Sequence, residues 1–269
     1  HGDDMSRSLL ANGGNLYSDL FDQRQMLLPV SDFWSERLQQ FGAREEDIFV
    51  HRMGVKTENF KYAPKTRSNT DPFKLVTVCR FVEKKGLEYA IRGFAKAVSQ
   101  APDLTMRFEL IGSGPLEASL KALVRDLGIS ELVSFSGALP HKEVAHALAR
   151  SDALVLPSVV SEDGDMEGIP LSLMEAMASG VGVISTYHSG IPELIENGVS
   201  GLLAQEKNCD QIADHILTLA RNPELAVTLT RNAREVIEEK FNSTKLNDQL
   251  EELCKRALTD SGVPPQSTE

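Results

Sequence analysis

The chain has 269 residues and a formal net charge of −11 at pH 7, an acidic balance that argues against a general nucleic-acid binder. Its 41% hydrophobic and 25% charged residues are typical of a soluble globular protein with one large or two small domains. No apolar run approaches the roughly 20 residues of a membrane-spanning helix, no signal peptide is recognisable, and three cysteines without paired spacing predict neither a disulfide framework nor a zinc cluster.

The first 55 residues differ in pattern from the rest of the chain. We expect a helix over 16–23, a strand over 26–30 and a capped helix over 31–42. A segment rich in Lys, Asn, Thr and Pro follows at 56–72 and is predicted to be a linker.

Strands and helices alternate after residue 72. Apolar, β-rich runs predict strands at 73–79, 105–112, 132–137, 153–158, 181–186 and 201–204. Helical spacing predicts helices at 87–98, 115–128, 141–150, 208–221, 224–240 and 243–258, with another beginning near residue 170. This alternation predicts an α/β fold with a doubly wound parallel sheet that binds ligands at the carboxyl ends of its strands.

The most informative motif is EGIPLSLMEAMASG at 167–180, in which seven residues separate Glu167 from Glu175. Pro170 suits the first position of a helix, so the N–H groups of Gly168 and Ile169 are expected at the positive end of the helix dipole. Such an end can bind a diphosphate, and Gly168 lets the backbone approach it closely. The two carboxylates can accept hydrogen bonds from hydroxyls on either side. A nucleotide sugar has this layout.

The same motif resembles the family-4 retaining glycosyltransferases, which adopt the GT-B fold. Further similar segments occur in the family's order, namely VCRFVEKKG (78–86), IGSGP (111–115), FSGALPHKEV (135–144), SDALVLPS (151–158) and GIPELIENGVSGLLA (190–204). The segments HGDD, VHRMGV and DGDMEGIP are similar to those of colanic acid and amylovoran glycosyltransferases. The resemblance covers nearly the whole chain.

This resemblance implies a domain organisation. Residues 1–55 would be the end of an N-terminal acceptor domain that is mostly missing, 56–72 the interdomain linker, and 73–258 the donor-binding domain. The polar, Pro-rich residues 259–269 are predicted to be a disordered tail. The chain would lie in the cytoplasm, with peripheral contact to the inner face of the plasma membrane through the N-terminal domain.

The resemblance also implies an activity. A hexose would pass from a nucleotide diphosphate sugar, by default a UDP-sugar, to a growing lipid-linked exopolysaccharide or cell-surface glycan, with retention of configuration. No protein nucleophile, metal or other cofactor is expected, and no nucleic-acid partner.

Residue roles follow by matching positions to the family's motifs. Arg80 and Lys85 would hold the diphosphate, whose charge grows in the transition state. Glu167 would meet the donor sugar and Glu175 the ribose. The remaining positions are Gly112 and Leu139, which would border the nucleotide, and His1, which would face the donor from the N-terminal domain.

Plainer interpretations stay open for several of these residues. Lys84 and Lys85 could form a solvated pair, the two glutamates could be surface charges, and Leu139 could belong to an ordinary strand-end turn. Glu162, Asp163 and Asp165 could form a divalent-metal loop, although the EF-hand spacing is absent. The histidines without metal-ligand spacing are interpreted as surface or packing residues: His141, His146, His188 and His215.

Other functions also compete. A nucleotide-binding oxidoreductase would share the fold pattern, but Glu117 stands at the third glycine position of its fingerprint. A module that binds the donor without transferring the sugar is a second alternative, and a nucleotide-sugar epimerase a third.

Overall fold

The computed structural model describes residues 6, 17–23, 25–65 and 71–260. Near the N-terminus, helix α1 spans Ser18–Phe21 and helix α2 spans Asp32–Gln40. The predicted capping of α2 is confirmed, because the Ser31 side chain accepts a hydrogen bond from the Trp34 N–H at 3.3 Å. The strand predicted over 26–30 is wrong and is reduced to one bridge between Leu27 and Ile48. Pro29 lies inside that segment and has no N–H to extend a ladder.

Six parallel strands form the sheet at the centre of the fold. They lie in the order β3-β2-β1-β4-β5-β6, and their bounds are β1 Phe73–Val78, β2 Met106–Ile111, β3 Val133–Gly137, β4 Ala153–Val155, β5 Gly182–Thr186 and β6 Leu202–Ala204. This order is that of the doubly wound Rossmann sheet and confirms the predicted fold class.

Helices cover both faces of the sheet. They are α3 Leu87–Gln100, α4 Glu117–Asp126, α5 His141–Arg150, α6 Leu171–Ser179, α7 Ile191–Leu194, α8 Cys209–Arg221, α9 Pro223–Lys240 and α10 Ser243–Asp260. One apolar core lies between the sheet and α3, α4 and α8, and a second lies between the sheet and α5, α6 and α9. The predicted tail starts too early, because α10 continues to Asp260, and residues 261–269 lie outside the described residues.

The strand order reverses between β1 and β4, which are hydrogen-bonded neighbours whose following loops meet at the carboxyl edge. The Val159 N–H donates to the Lys84 carbonyl at 3.0 Å. Gly86 has a φ of +64°, and a Cβ there would lie 1.9 Å from the Pro157 carbonyl oxygen, so only glycine fits this crossing. The loops after β1 and β4 are therefore fixed against each other.

The first part of the predicted linker packs against this domain. Phe60 is buried beside α6, and the Arg234 guanidinium on α9 donates to the carbonyls of Phe60 and Ala178 at 3.0 and 2.7 Å. Residues 66–70 lie outside the described part, and the domain boundaries stay a prediction. No helix within the described residues is long and apolar enough to span a bilayer.

Candidate functional site

Helix α6 begins at the switch point of the sheet and carries the glutamate motif. Pro170 is the residue before the first helical position and not the first helical residue itself, a correction of one position, because its ψ of 125° is extended. In the described part of the chain, the N–H groups of Gly168, Ile169 and Leu171 have no acceptor. These unpaired donors lie at the positive end of the helix dipole, where an anion is favoured.

Two lysines from the loop after β1 meet the carboxylates of the loop after β4. The Lys85 Nζ lies 2.8 Å from the Glu167 carboxylate, and the Lys84 Nζ lies 2.9 Å from that of Asp165 and 3.7 Å from that of Glu167. All four side chains are less than one-fifth exposed. The sequence predicted that Lys85 and Glu167 share a site, and the structure brings them together. Lys84, for which a solvated pair with Lys85 is the plainer alternative, belongs to the same cluster.

Arg80 lies in the same loop after β1 as the two lysines. Its side chain is exposed, and in the described part of the chain it makes no hydrogen bond or ion pair. The two lysines balance the charges of Asp165 and Glu167, and Arg80 is a further cation in this loop that is paired with no described carboxylate. Burial raises the pKa of the neighbouring Cys79 thiol to about 12, so this cysteine is protonated at neutral pH and is a poor nucleophile.

Glu175 lies on α6, one turn after the first helical residue, Leu171. Its side chain is 15% exposed, and its carboxylate accepts no hydrogen bond within the described residues. Burial raises the pKa of this carboxyl, and His141, with its Nδ1 at 3.8 Å, lowers it by a smaller amount. A mostly buried carboxylate that accepts no hydrogen bond from the protein is suited to a ligand whose hydroxyl groups donate to it.

Gly112 and Leu139 lie at the ends of β2 and β3 on the same edge of the sheet. Gly112 has a φ of +138°, and a Cβ there would lie 1.8 Å from the Cys79 carbonyl oxygen. Glycine is therefore needed at this position because the loop after β2 packs closely against the loop after β1. Leu139 is half-buried against the core cluster that includes α6. Both residues line the expected edge, and their contact with a nucleotide stays a prediction.

A buried histidine without any local sequence signal lies beside the motif. His188, interpreted as a surface or packing residue, accepts the Glu167 N–H at its Nε2 at 3.0 Å. Its Nδ1 lies 2.6 Å from a Glu206 carboxylate oxygen, and its side chain is 0% exposed. Next to it, Ser189 adopts a left-handed φ of +49°, and its buried hydroxyl has no partner within the described residues. Such strain in a non-glycine residue is common at functional sites.

The acidic segment 161–165 forms a closed loop. The Ser161 hydroxyl lies 2.7 Å from the Asp163 carboxylate and 2.9 Å from the Asp165 carbonyl and can donate its one proton to either, and Lys84 pairs with the Asp165 carboxylate. No group of three or more metal-ligating side chains occurs in the described ranges. His1 lies outside these ranges, so its predicted position facing the donor stays a prediction.

Together these groups can bind a diphosphate between two hydroxyl-bearing parts. The lysines lie against Glu167, directly before the unpaired N–H groups that begin α6, and Glu175 lies further along that helix; the contacts of these groups and of Arg80 with a ligand stay predictions. The donors are held by rigid elements at the edge of a parallel sheet, which is where doubly wound folds bind nucleotides.

Comparisons with known proteins identify relatives that match most of the chain. WcaL of Escherichia coli strain K12, a glycosyltransferase assigned to colanic acid biosynthesis, is 39% identical over 258 residues, which are 95% of this chain and 63% of WcaL. The amylovoran biosynthesis glycosyltransferase AmsK of Erwinia amylovora is 38% identical over 257 residues, 95% of this chain and 62% of AmsK. The chain thus spans just under two thirds of the length of these relatives.

The fold has solved counterparts. The crystal structure of Anabaena Alr3699/HepE in complex with UDP and glucose superposes with a TM-score of 0.78 at 20% identity, covering 93% of this chain and 68% of HepE. At that identity the likeness concerns the fold, which is of the GT-B type. Residues 58–236 match the family described as glycosyl transferases group 1. The family match covers more than half of the chain, and the chain therefore belongs to the group 1 glycosyltransferases.

Proposed function

We propose that the chain carries the donor site of a retaining, family-4 glycosyltransferase of exopolysaccharide synthesis. It transfers a hexose from a nucleotide diphosphate sugar to a hydroxyl of a growing, lipid-linked glycan. The observation that carries this proposal is the meeting of Lys85 and Glu167 beside the unpaired N–H groups that begin α6. The kinship with WcaL and AmsK supports an exopolysaccharide or other cell-surface glycan as the product.

In this proposal the leaving diphosphate is stabilised by the protein alone. Arg80, Lys84, Lys85 and the N-terminus of α6 face the oxygen atoms on which negative charge grows as the glycosidic bond breaks. Lys85 has three N–H donors, so it can keep its contact with Glu167 and also donate to a phosphate. We propose that no metal ion takes part in this step.

Glu167 and Glu175 orient the two sugar-like parts of the donor. Glu167 accepts hydrogen bonds from the hexose, and Glu175 accepts them from the two adjacent hydroxyls of the ribose. The front-face route, in which the leaving phosphate helps to deprotonate the acceptor, follows from the family resemblance and requires no protein nucleophile. The protonated state of the Cys79 thiol is consistent with such a route. Acceptor and membrane contacts are assigned to an N-terminal acceptor domain.

Thermal-shift and calorimetric screening tests this proposal. The 269-residue chain is titrated with UDP-, GDP- and ADP-sugars and with NADH, because a ligand that binds the native state raises the midpoint by an amount that grows with the logarithm of its concentration over Kd. We expect the largest shift with a UDP-sugar, since UDP is the nucleotide bound in HepE. Sugar transfer is then measured with the full-length protein. Protection by NADH alone would favour the oxidoreductase, and donor binding without transfer would favour the binding module.

A further inference from the structure

Three loops at the carboxyl edge of the sheet are joined by one buried imidazole and one carboxylate. His188 follows β5, Glu206 follows β6, and Glu167 lies in the loop between β4 and α6. The Glu167 N–H donates to the His188 Nε2 at 3.0 Å, and the His188 Nδ1 lies 2.6 Å from Glu206 Oε1. The other oxygen of Glu206 accepts the Val160 N–H at 3.0 Å.

The partners of His188 determine its tautomer. Nε2 faces a backbone N–H, so it must be the unprotonated, accepting nitrogen. Nδ1 then carries the proton and donates it to Glu206, which holds the ring in this tautomer. Because the side chain is 0% exposed, no water can replace either bond without a rearrangement. The imidazole is therefore locked in one orientation against the Glu167 amide.

Glu167 is consequently held from two directions. Lys85 binds its carboxylate at 2.8 Å, and His188 binds its backbone N–H. The next two N–H groups, those of Gly168 and Ile169, have no acceptor within the described residues. His188 thus marks the point where the backbone changes from internally bonded to unpaired.

We propose that His188 and Glu206 form a positioning pair that fixes the Glu167 backbone for donor binding. This inference rests on the proposed function, because it assigns to the pair the alignment of a carboxylate that meets the donor sugar. His188 does not touch the donor, and it acts through the Glu167 amide. Loss of its accepting nitrogen would free the Glu167 peptide plane and misplace both the carboxylate and the adjacent N–H groups.

Two amide substitutions separate the halves of the pair. Gln at position 188 can place an oxygen near the Nε2 position and keep the acceptor for Glu167, whereas Asn reaches only the Nδ1 position and keeps the contact with Glu206. His188→Leu removes both bonds. His215→Gln is the matched control, because the His215 Nε2 lies 3.1 Å from the Leu203 carbonyl oxygen and has no contact with Glu167.

Hydrogen exchange of the Glu167 amide is measured first by NMR on the ligand-free chain. We expect protection to fall at least tenfold in His188→Asn and His188→Leu, and to stay within about threefold of wild type in His188→Gln. The Kd for UDP-glucose, measured by calorimetry, should rise roughly 3- to 10-fold in the Asn and Leu variants, the effect of one lost hydrogen bond. It should be largely restored in the Gln variant.

The outcomes separate the inference from the proposed function. The positioning pair would be overturned if His188→Gln and His188→Asn showed the same amide protection and the same Kd. It would also be overturned if His215→Gln, at an equal loss of Tm, weakened UDP-glucose binding as much as the His188 variants do. An unchanged Kd in His188→Leu despite lost protection at Glu167 would overturn it as well. A wild-type chain that protects the Glu167 amide but binds neither UDP-glucose nor another nucleotide sugar would instead overturn the proposed function.

Discussion

The Glu175→Gln substitution should change the stability of the fold and its affinity for the donor in opposite directions. The Glu175 carboxylate is 15% exposed and accepts no hydrogen bond within the described residues, and burial raises its pKa above the model-peptide value of 4.5. A carboxyl whose pKa is higher in the folded state binds its proton more tightly there. Its ionised form therefore destabilises the fold above that raised pKa, and the penalty disappears as the pH falls towards 4.5.

Removal of this charge should raise Tm at pH 7 and have no such benefit at pH 4. For a domain of this size, each 1 kcal/mol corresponds to about 2–4 °C. Affinity for the donor should change in the opposite direction. Glu175→Ala loses a charge-assisted hydrogen bond worth roughly 1.5–3 kcal/mol, which is about 10- to 150-fold in Kd. Gln keeps a neutral acceptor, so its loss should be about 3- to 10-fold.

Calorimetric titration with the nucleotide diphosphate chosen by the screen gives Kd, and thermal unfolding of the ligand-free chain gives Tm. Glu143→Gln is the control, since Glu143 is an exposed glutamate on α5 whose side chain is 54% accessible. It should change neither quantity. A Glu175→Gln variant with lower Tm at pH 7 would refute the burial penalty on the carboxylate. Wild-type affinity of that variant for the nucleotide would refute the assignment of Glu175 to the ribose.

The other predictions concern the cations, the metal and the turn after β2. Arg80→Ala and Lys85→Ala should lower kcat of the full-length protein more than they weaken ground-state donor binding, because charge on the diphosphate grows towards the transition state; a rise in KM alone would contradict this. Only the lysine variant should also lose stability, since it leaves Glu167 without its 2.8 Å partner. Sugar transfer should continue in excess EDTA. If EDTA abolished transfer and Mg²⁺ or Mn²⁺ restored it, the result would contradict the metal-free step and indicate a metal site in the loop 161–165. Gly112→Ala should destabilise the fold by roughly 3 kcal/mol or more in urea unfolding, whereas Gly128→Ala, with φ +69° and open space around it, should lose only about 1 kcal/mol; equal losses would exclude the steric cause.

The periodicity of the sequence determined the class of the fold. Continuous apolar runs such as 73–78 must be covered on both sides, and the helices between them have single apolar faces, so a parallel sheet with helices on both faces is the consistent arrangement. The strand over 26–30 failed as a prediction because Pro29 interrupts pairing, which a local apolar pattern does not reveal. Helix α6 begins one residue later than predicted, since Pro170 has an extended ψ of 125°.

The glutamate motif and its glycine-proline turn were readable because they lie within one short segment. The partners that hold the motif could not be read in this way. Lys85 is 82 residues from Glu167 in the chain, His188 is 21 residues away, and Glu206 is a further 18 residues on. Only the strand order β1-β4-β5-β6 places the loops that carry them side by side.

The sequence alone thus determined the sheet-and-helix architecture, the helix end with its unpaired N–H groups and the positions of the two motif carboxylates, because these depend on local spacing and residue chemistry. The tertiary structure decided which charges meet and which stay free. In the folded chain Lys85 pairs with Glu167, and Arg80 is exposed. His188, which no local sequence pattern marks, is buried and hydrogen-bonds to residues of two other loops. The physical reason is that hydrogen bonds and ion pairs depend on distance in space, which the winding of a parallel sheet sets between residues remote in the chain.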